Sequence, residues 1–337
     1  MPSAIQSNVT FAPAEYIPRR GLGNGHLMTI VGNFYPRANL LPAPDERIIT
    51  VDDALNARVL CHCHWQPERQ KALTVIIVHG LEGSSQSRYV IGTGSKCWQR
   101  GMNVVRMNMR TCGGTEHLSP TLYHNGMWRD IQRVMQSLAQ SESLERFAIV
   151  GYSMGGNMVL KLAGELGTNV PAELLAVAGI SPATDLAISA AALHEPGNII
   201  YEMKFLLGLG ERFRRKAKLH PELYDIKLAR GNGSIVEFDE RITAHYGGFA
   251  NAQDYYEKCS SSAVLERISM PTLVIHSLDD PFIIMSQETR TKLQQNPNIT
   301  FIEQTHGGHC AFLADRSHGA EGCWAETTIA QYFGQFA

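Results

Sequence analysis

The chain has 337 residues, 44% hydrophobic and 18% charged, with Lys+Arg 30 against Asp+Glu 32 and a formal net charge of −2. That composition is globular and offers no bulk positive charge for a nucleic acid or an anionic membrane, so neither partner is expected. The 7 Cys are odd in number and lack paired spacing, which fits a reduced protein better than a disulfide scaffold. The start, MPSAIQSNVTFAPAEY, lacks the basic residues and apolar run of a signal peptide. No stretch approaches the ~18 apolar residues of a membrane span. The expectation is a cytoplasmic chain without a transmembrane anchor.

Residues 1–45 are loop-rich and punctuated by Pro13, Pro18, Pro36, Pro42 and Pro44. They read as an N-terminal arm packed on a core. A strand–helix alternation follows. ARVLCHCHW alternates and reads as a strand. ALTVIIVHG is a continuous β-branched run ending at Gly80, the mark of a strand buried on both faces. SRYVIGTGSKCWQRG reads as a helix closed by Gly101, and MNVVRMNMR as the next strand. MWRDIQRVMQSLAQ puts Met127, Ile131, Val134, Met135 and Leu138 at helical spacing. RFAIVGYS is a strand, GGNMVLKLAGELG a helix ending at Gly167, and LLAVAGISP another strand.

From 184 to 268 the alternation lapses into a helical segment rich in aromatics, such as Tyr201, Phe205, Phe213, Tyr255 and Tyr256. It reads as a cap inserted over the sheet. The alternation resumes with PTLVIHS (strand), SQETRTKLQQ (helix), NITFIEQ (strand) and CWAETTIAQYF (helix). The fold class is α/β: a mostly parallel central sheet flanked by helices, built from 46–183 and 269–337, with the 184–268 insertion above it.

The chemistry centres on VGYSMGG. Gly151-Tyr152-Ser153-Met154-Gly155 is a G-x-S-x-G pentapeptide between a buried strand and a helix. A serine there sits on a tight turn that projects its hydroxyl above the sheet. The helix N-terminus behind it offers free N–H groups to a developing oxyanion. A serine hydroxyl needs a base, and the base needs an orienting acid. Both occur at later strand ends: Asp279 and Asp280 after PTLVIHS, and His306 and His309 after NITFIEQ. The carboxyl ends of parallel strands are where such sheets gather reactive groups.

Asp280 is favoured over Asp279 because it lies further along the loop and directly precedes Pro281, which holds it extended. His309 is favoured over His306 because Gly307-Gly308 carries it clear of the strand end. Met154 and Leu81 are the candidate oxyanion donors, the second from the HGLEG loop. His79 reads as a packed strand-end residue. Loss of rate on acidification near ~pH 6–7 is expected of a histidine base.

CHCHW has metal-like residues, but on a strand Cys61 and Cys63 face one way and His62 and His64 the other, so no metal is expected. RFRRKAK, at 212–218, reads as a solvated helix face.

Several segments together resemble the YheT-type branch of the α/β-hydrolases, which holds bacterial hydrolases, yeast medium-chain ethyl-ester synthase/esterases and eukaryotic abhydrolase-domain lipases. They are GLGNGHLMTIVGNFYPR, HGLEGSSQSRYV, NMRTCGGTEHLSPTLYHNG, VEFDERITAHYGGFANAQDYYEKCS, LDDPF and GGHCAF. Thr111 departs from the branch, which usually has Gly there. The resemblance implies Ser153 as nucleophile, Asp280 as acid, His309 as base, and Leu81 and Met154 as oxyanion donors. It implies ester hydrolysis or acyl transfer on a small-molecule ester, with no cofactor. Short- to medium-chain acyl esters are expected, because a cap with many apolar residues favours an acyl tail.

Overall fold

Short runs rich in Val and Ile form the strands here, and the stretches between them form helices. The computed structural model describes residues 11–315 and 322–337. In chain order it begins with α1 (Gly25–Phe34), β1 (Asp45–Asp52), β2 (Ala57–His64), β3 (Thr74–Val78), α2 (Arg88–Trp98) and β4 (Asn103–Met107). Then come α3 (Trp128–Glu142), β5 (Phe147–Tyr152), α4 (Met154–Leu166) and β6 (Leu174–Ile180). Helices follow without a strand: α5 (Leu186–Leu193), α6 (Ile199–Leu219), α7 (Ile235–Phe238), a π-helical turn (Asp239–Ala244), α8 (His245–Gly247) and α9 (Ala252–Cys259). The chain ends with β7 (Thr272–Ser277), α10 (Gln287–Gln295), β8 (Ile299–Gln304) and α11 (Trp324–Gly334).

The eight strands form one sheet in the order β1-β2-β4-β3-β5-β6-β7-β8. β2 runs antiparallel to β1 and β4, and every other pair is parallel. All residues of β3 and β5 are buried. Successive side chains of β3 enter opposite cores, as the two-residue strand period requires. Ile76 and Val78 pack with Ile131 and Val134 of α3 and Met158 and Leu162 of α4. Val75 and Ile77 pack with Val90 of α2 and Ile329 and Phe333 of α11.

Two features differ from the sequence expectation. The loop-rich arm contains α1, whose GHLMTIVGNF has two glycines and weak helix propensity. Asn24 caps it by accepting from Leu27 N–H at 3.0 Å, and docking does the rest. A Cβ on Gly25 would lie 1.8 Å from the Asp279 carbonyl oxygen, and one on Gly32 would lie 2.4 Å from Ala311 Cβ. The helix therefore exists where two glycines let its backbone touch the loops after β7 and β8.

The second difference is the 212–218 run, whose face is not uniformly solvated. Arg212 and Lys216, one helical turn apart on α6, are both buried. Lys216 donates to Glu116 O at 2.8 Å and also to Ser119 O. Burial lowers its ammonium to about 8, with Glu116 acting against that shift. Among the described residues no helix is long and apolar enough to cross a membrane.

Candidate active site

Ser153 occupies the single residue between β5 and α4. Its backbone is left-handed, φ 54° and ψ −118°, an uncommon conformation for a side-chain-bearing residue. The turn is held on both sides. Ser153 N–H donates to Ile180 O at 2.8 Å, and Asn157 N–H donates to Ser153 O at 3.0 Å. The flanking glycines are sterically required. A Cβ on Gly151 would lie 2.1 Å from Gly155 O, and one on Gly155 would lie 2.4 Å from His79 O. The Met154 N–H opens α4 and has no protein acceptor among the described residues, as first-turn amides commonly lack.

The loop after β8 is set by its contact with the arm. Gly308 has φ +56°, and a Cβ there would lie 2.7 Å from Gly25 O and 2.8 Å from Thr29 Oγ1. Thr29 on α1 accepts from His309 N–H at 2.8 Å and donates to Gly25 O at 2.7 Å. The His309 Nδ1–H donates to Asp280 Oδ2 at 2.8 Å. Asp280 Oδ1 accepts from Phe282 N–H at 3.2 Å and Ile283 N–H at 2.9 Å. The Phe282 ring packs on the imidazole with centroids 4.4 Å apart.

The neighbouring residues form a second, looser pair. Asp279 Oδ1 accepts from Gly308 N–H at 2.9 Å, and its Oδ2 lies 3.3 Å from His306 Nδ1. The side chains of His309 and Asp280 are 12% and 0% exposed, against 42% and 19% for His306 and Asp279. A charge pair at the first position is thus far less screened by water than one at the second.

Burial works against both charged forms in the His309–Asp280 pair, and the partners outweigh it. Burial alone would lower the imidazole, but the Asp280 carboxylate beside it raises it above its ordinary value. Burial would raise the Asp280 carboxyl, but His309, His276 and the Ile283 N–H hold it below the usual carboxylate range. The Nδ1–H bond to Asp280 leaves Nε2 as the acceptor of a neutral ring.

Ser153 and His309 make no direct hydrogen bond among the described residues. His309 Nε2 lies 3.7 Å from Cys310 Sγ. Adjacent residues of one segment anchor the two loops: Ile180 O accepts from Ser153 N–H, and Ser181 Oγ accepts from Cys310 N–H at 3.1 Å. Such bonds are often long before substrate arrives.

The loop after β3 completes the edge. His79 is buried and neutral, lowered to about 4 by burial against a bond to Gly80 O. It donates to Gly80 O at 2.8 Å and accepts from Met109 N–H at 3.1 Å, so it is a backbone brace. Leu81 N–H has no acceptor among the described residues.

The next residue, Glu82, has φ 56° and is clamped. Its N–H donates to Tyr123 Oη at 3.1 Å, and its Oε1 accepts from that hydroxyl at 2.8 Å. Arg212 of α6 donates to both carboxylate oxygens, at 2.9 and 3.2 Å, and also to Thr111 O. A Cβ on Gly208 of α6 would lie 2.5 Å from Glu82 Oε2, so only glycine admits that carboxylate. Sequence reasoning assigned no site role to Glu82, Arg212 or Thr29. Their partners lie 130, 130 and 280 residues away, and no local pattern marks such contacts.

A cavity opens above Ser153, Met154 and Leu81, walled mainly by Leu186, Leu193, Phe205, Leu209, Phe213 and Phe238 from the inserted helices. The CHCH residues lie elsewhere. Cys61 and Cys63 are in the core, His62 faces Glu46 at 3.5 Å, and His64 accepts from Arg106 at 3.2 Å.

Comparison with known proteins agrees with this architecture. Residues 74–315 match the family model described as alpha/beta hydrolase fold. The Escherichia coli (strain K12) protein YheT, which carries an esterase name, is 31% identical over 323 residues, covering 92% of this chain and 91% of its own. The Saccharomyces cerevisiae medium-chain fatty acid ethyl ester synthase/esterase 2 is 29% identical over 78% of this chain and 62% of its own. Human phospholipase ABHD3 is 27% identical over 78% of this chain and 63% of its own. Among solved structures, the Pyrococcus furiosus esterase Pf2001 superposes with TM-score 0.55 at 14% identity, over 89% of this chain and 98% of its own. With a strained serine between β5 and α4, a mostly parallel eight-stranded sheet and a 31% identical relative spanning nearly its full length, the chain belongs to the α/β-hydrolase fold family, in its YheT-type branch.

Proposed function

We propose that the chain is a serine carboxylesterase acting through an acyl-enzyme. The observation that carries this reading is Ser153 on its strained turn, beside a loop whose His309 is oriented by buried Asp280. In the reaction, His309 Nε2 accepts the Ser153 proton as Ser153 Oγ attacks the ester carbonyl. The tetrahedral oxyanion is held by the Leu81 and Met154 N–H groups. His309 then protonates the leaving alcohol, and water repeats both steps on the acyl-enzyme. The aliphatic and aromatic cavity walls suit a short- to medium-chain acyl tail. The esterase names of the relatives support the same reading.

A second reading is acyl transfer to an alcohol, favoured by similarity to a yeast protein named an ethyl ester synthase as well as an esterase. The same acyl-enzyme serves both, and the acceptor decides between them. We propose a cytoplasmic setting, consistent with cysteines that are mostly buried and not paired in disulfides among the described residues.

Three outcomes are expected. On p-nitrophenyl esters, with added ethanol to divide free acid from ethyl ester, Ser153→Ala and His309→Ala lose turnover. His306→Ala loses only a few-fold. Full activity in Ser153→Ala, or equal losses at both histidines, would sink the mechanism.

Second, a raised His309 holds its proton to higher pH, and only the neutral ring is a base. The rate therefore rises with pH through a midpoint above the ordinary ~6.5 of imidazole, not at it. The ion pair's contribution to stability runs the opposite way. It is full below ~6.5 and is lost as pH rises through the raised value. A pH–rate midpoint at or below 6.5 would contradict this.

Third, Glu82→Gln and Arg212→Met loosen the loop that carries the Leu81 N–H. Each is expected to lower kcat by about tenfold with little change in KM, less than the ~10²–10³ that outright loss of an oxyanion donor costs. The double variant should be no worse than the more affected single one, because both remove one clamp. Additive losses in a steady-state double-mutant cycle would show that the two residues act separately.

A further inference from the structure

Two helices beside the site leave apolar side chains in water. On α1 these are Leu27, Ile30 and Phe34, and on α6 they are Ile200, Met203 and Leu207. Both sets follow i, i+3, i+7, so each is one stripe along one helix. Phe34, Ile200 and Leu207 are 66, 72 and 68% exposed. Single exposed apolar residues are ordinary, but a group of this size marks a contact surface. The helices meet where His26 Nδ1 lies 3.3 Å from Tyr201 Oη, with the rings stacked at 5.8 Å. Leu27 and Ile200 are the chain neighbours of that pair, so the stripes flank one joint. The joint lies next to the site: Tyr201 packs on Phe282 at 5.0 Å, and Phe282 packs on His309 at 4.4 Å.

The charges around this face decide what can cover it. α6 has 21 residues, and the residue type changes along its exposed side. Ile200, Met203 and Leu207 hold the first half, and Arg214, Arg215 and Lys218 the second. At the helical repeat all six lie within about 60° of one line along the axis. Arg215 is paired with Glu211 and Glu116. Lys204, Arg214 and Lys218 are exposed and make no ion pair among the described residues. Neither does Arg88, which donates to Phe34 O at 3.0 Å beside the end of the α1 stripe. Glu211 is the only exposed acid on α6, and Arg215 holds it. The net charge of −2 averages over this field, so composition alone gave no reason to expect a membrane partner.

A second copy of the chain, seated face to face, would bring the same unpaired cations and no spare acid from α6. A neutral apolar partner would leave those cations without counter-charge. An anionic lipid surface supplies both complements, acyl chains for the two stripes and phosphates for the lysines and arginines. We propose that the α1–α6 face docks the protein on an anionic lipid surface. The apolar stripes enter the outer acyl region, and Arg88, Lys204, Arg214 and Lys218 stay at headgroup level. Docking in this way sets the His26–Tyr201 joint, with Phe282 and His309 behind it, at the lipid boundary. It does not depend on which ester is cleaved.

The test is co-flotation of the full chain with vesicles of phosphatidylcholine alone and of phosphatidylcholine mixed with phosphatidylserine. Binding to the mixed vesicles should be at least about tenfold tighter, and it should weaken as salt is raised and screens the cations. Two sets of substitutions divide the face: Ile200→Ser with Met203→Ser and Leu207→Ser, and Arg214→Glu with Lys218→Glu. All five side chains are exposed, so thermal melting should stay at the wild-type value. Each set should weaken binding to the mixed vesicles by at least about tenfold. Absence of wild-type binding to the mixed vesicles, equal binding to both kinds, or binding that survives both sets would overturn the proposal. So would a dimer in analytical ultracentrifugation that the serine set converts to monomer, because a second copy would then be the occupant.

Discussion

The constraint on which the site depends is the approach of α4 to the end of β3. Gly155 sits where a Cβ would lie 2.4 Å from His79 O and 2.6 Å from Val78 O, and Gly151 where one would meet Gly155 O at 2.1 Å. Any side chain at either position would push the helix off the sheet. Because both are glycine, α4 starts one residue after β5 ends, and that residue must take a left-handed backbone. The same contact brings the loop after β3 beside the first turn of α4. The free amides of Leu81 and Met154 thus belong to one small region, at the end of the sheet where helix dipole and open backbone both favour negative charge.

Around that fixed centre the other parts are held from outside the sheet. The His309 loop is bound to the arm through Thr29 and seated against Gly25. The Glu82 loop is bound to the inserted helices through Arg212 and Tyr123. Both clamps are largely buried, where a lone charge or an empty hydrogen-bonding group is costly, so each partner depends on the other being present. The arm and the insertion thereby take part in the site geometry although neither supplies Ser153, Asp280 or His309. A rigid sheet edge with loops braced by remote elements is the arrangement that holds reacting groups in place without reorganisation.

Much of this was legible from residue order. The β-branched run of β3, the Gly-Tyr-Ser-Met-Gly junction and the strand ends before Asp280 and His309 all carry local signatures, because strand burial and tight turns restrict residue type within a few positions. The arm helix was not legible. GHLMTIVGNF forms because two glycines fit against Asp279 and Ala311, and nothing in its own propensity announces that. The RFRRKAK run misled for a related reason. Charge density alone reads as solvated surface, yet Arg212 and Lys216 point inward, toward Glu82 and toward the carbonyls of Glu116 and Ser119.

The choice between paired candidates divides in the same way. By itself the sequence determined the layered α/β architecture, the strained serine and the two loops that could answer it, since these follow from periodicity and from where glycine is sterically required. Only the tertiary structure decided that Asp280 faces His309 while Asp279 faces His306, and that the first pair is buried and the second half in water. It also decided that His124 and Asp239, far apart in the chain, both line the cavity above Ser153. Hydrogen bonds between loops 27 to 280 residues apart are fixed by how the loops pack, and packing across such distances leaves no mark on the local pattern of residues.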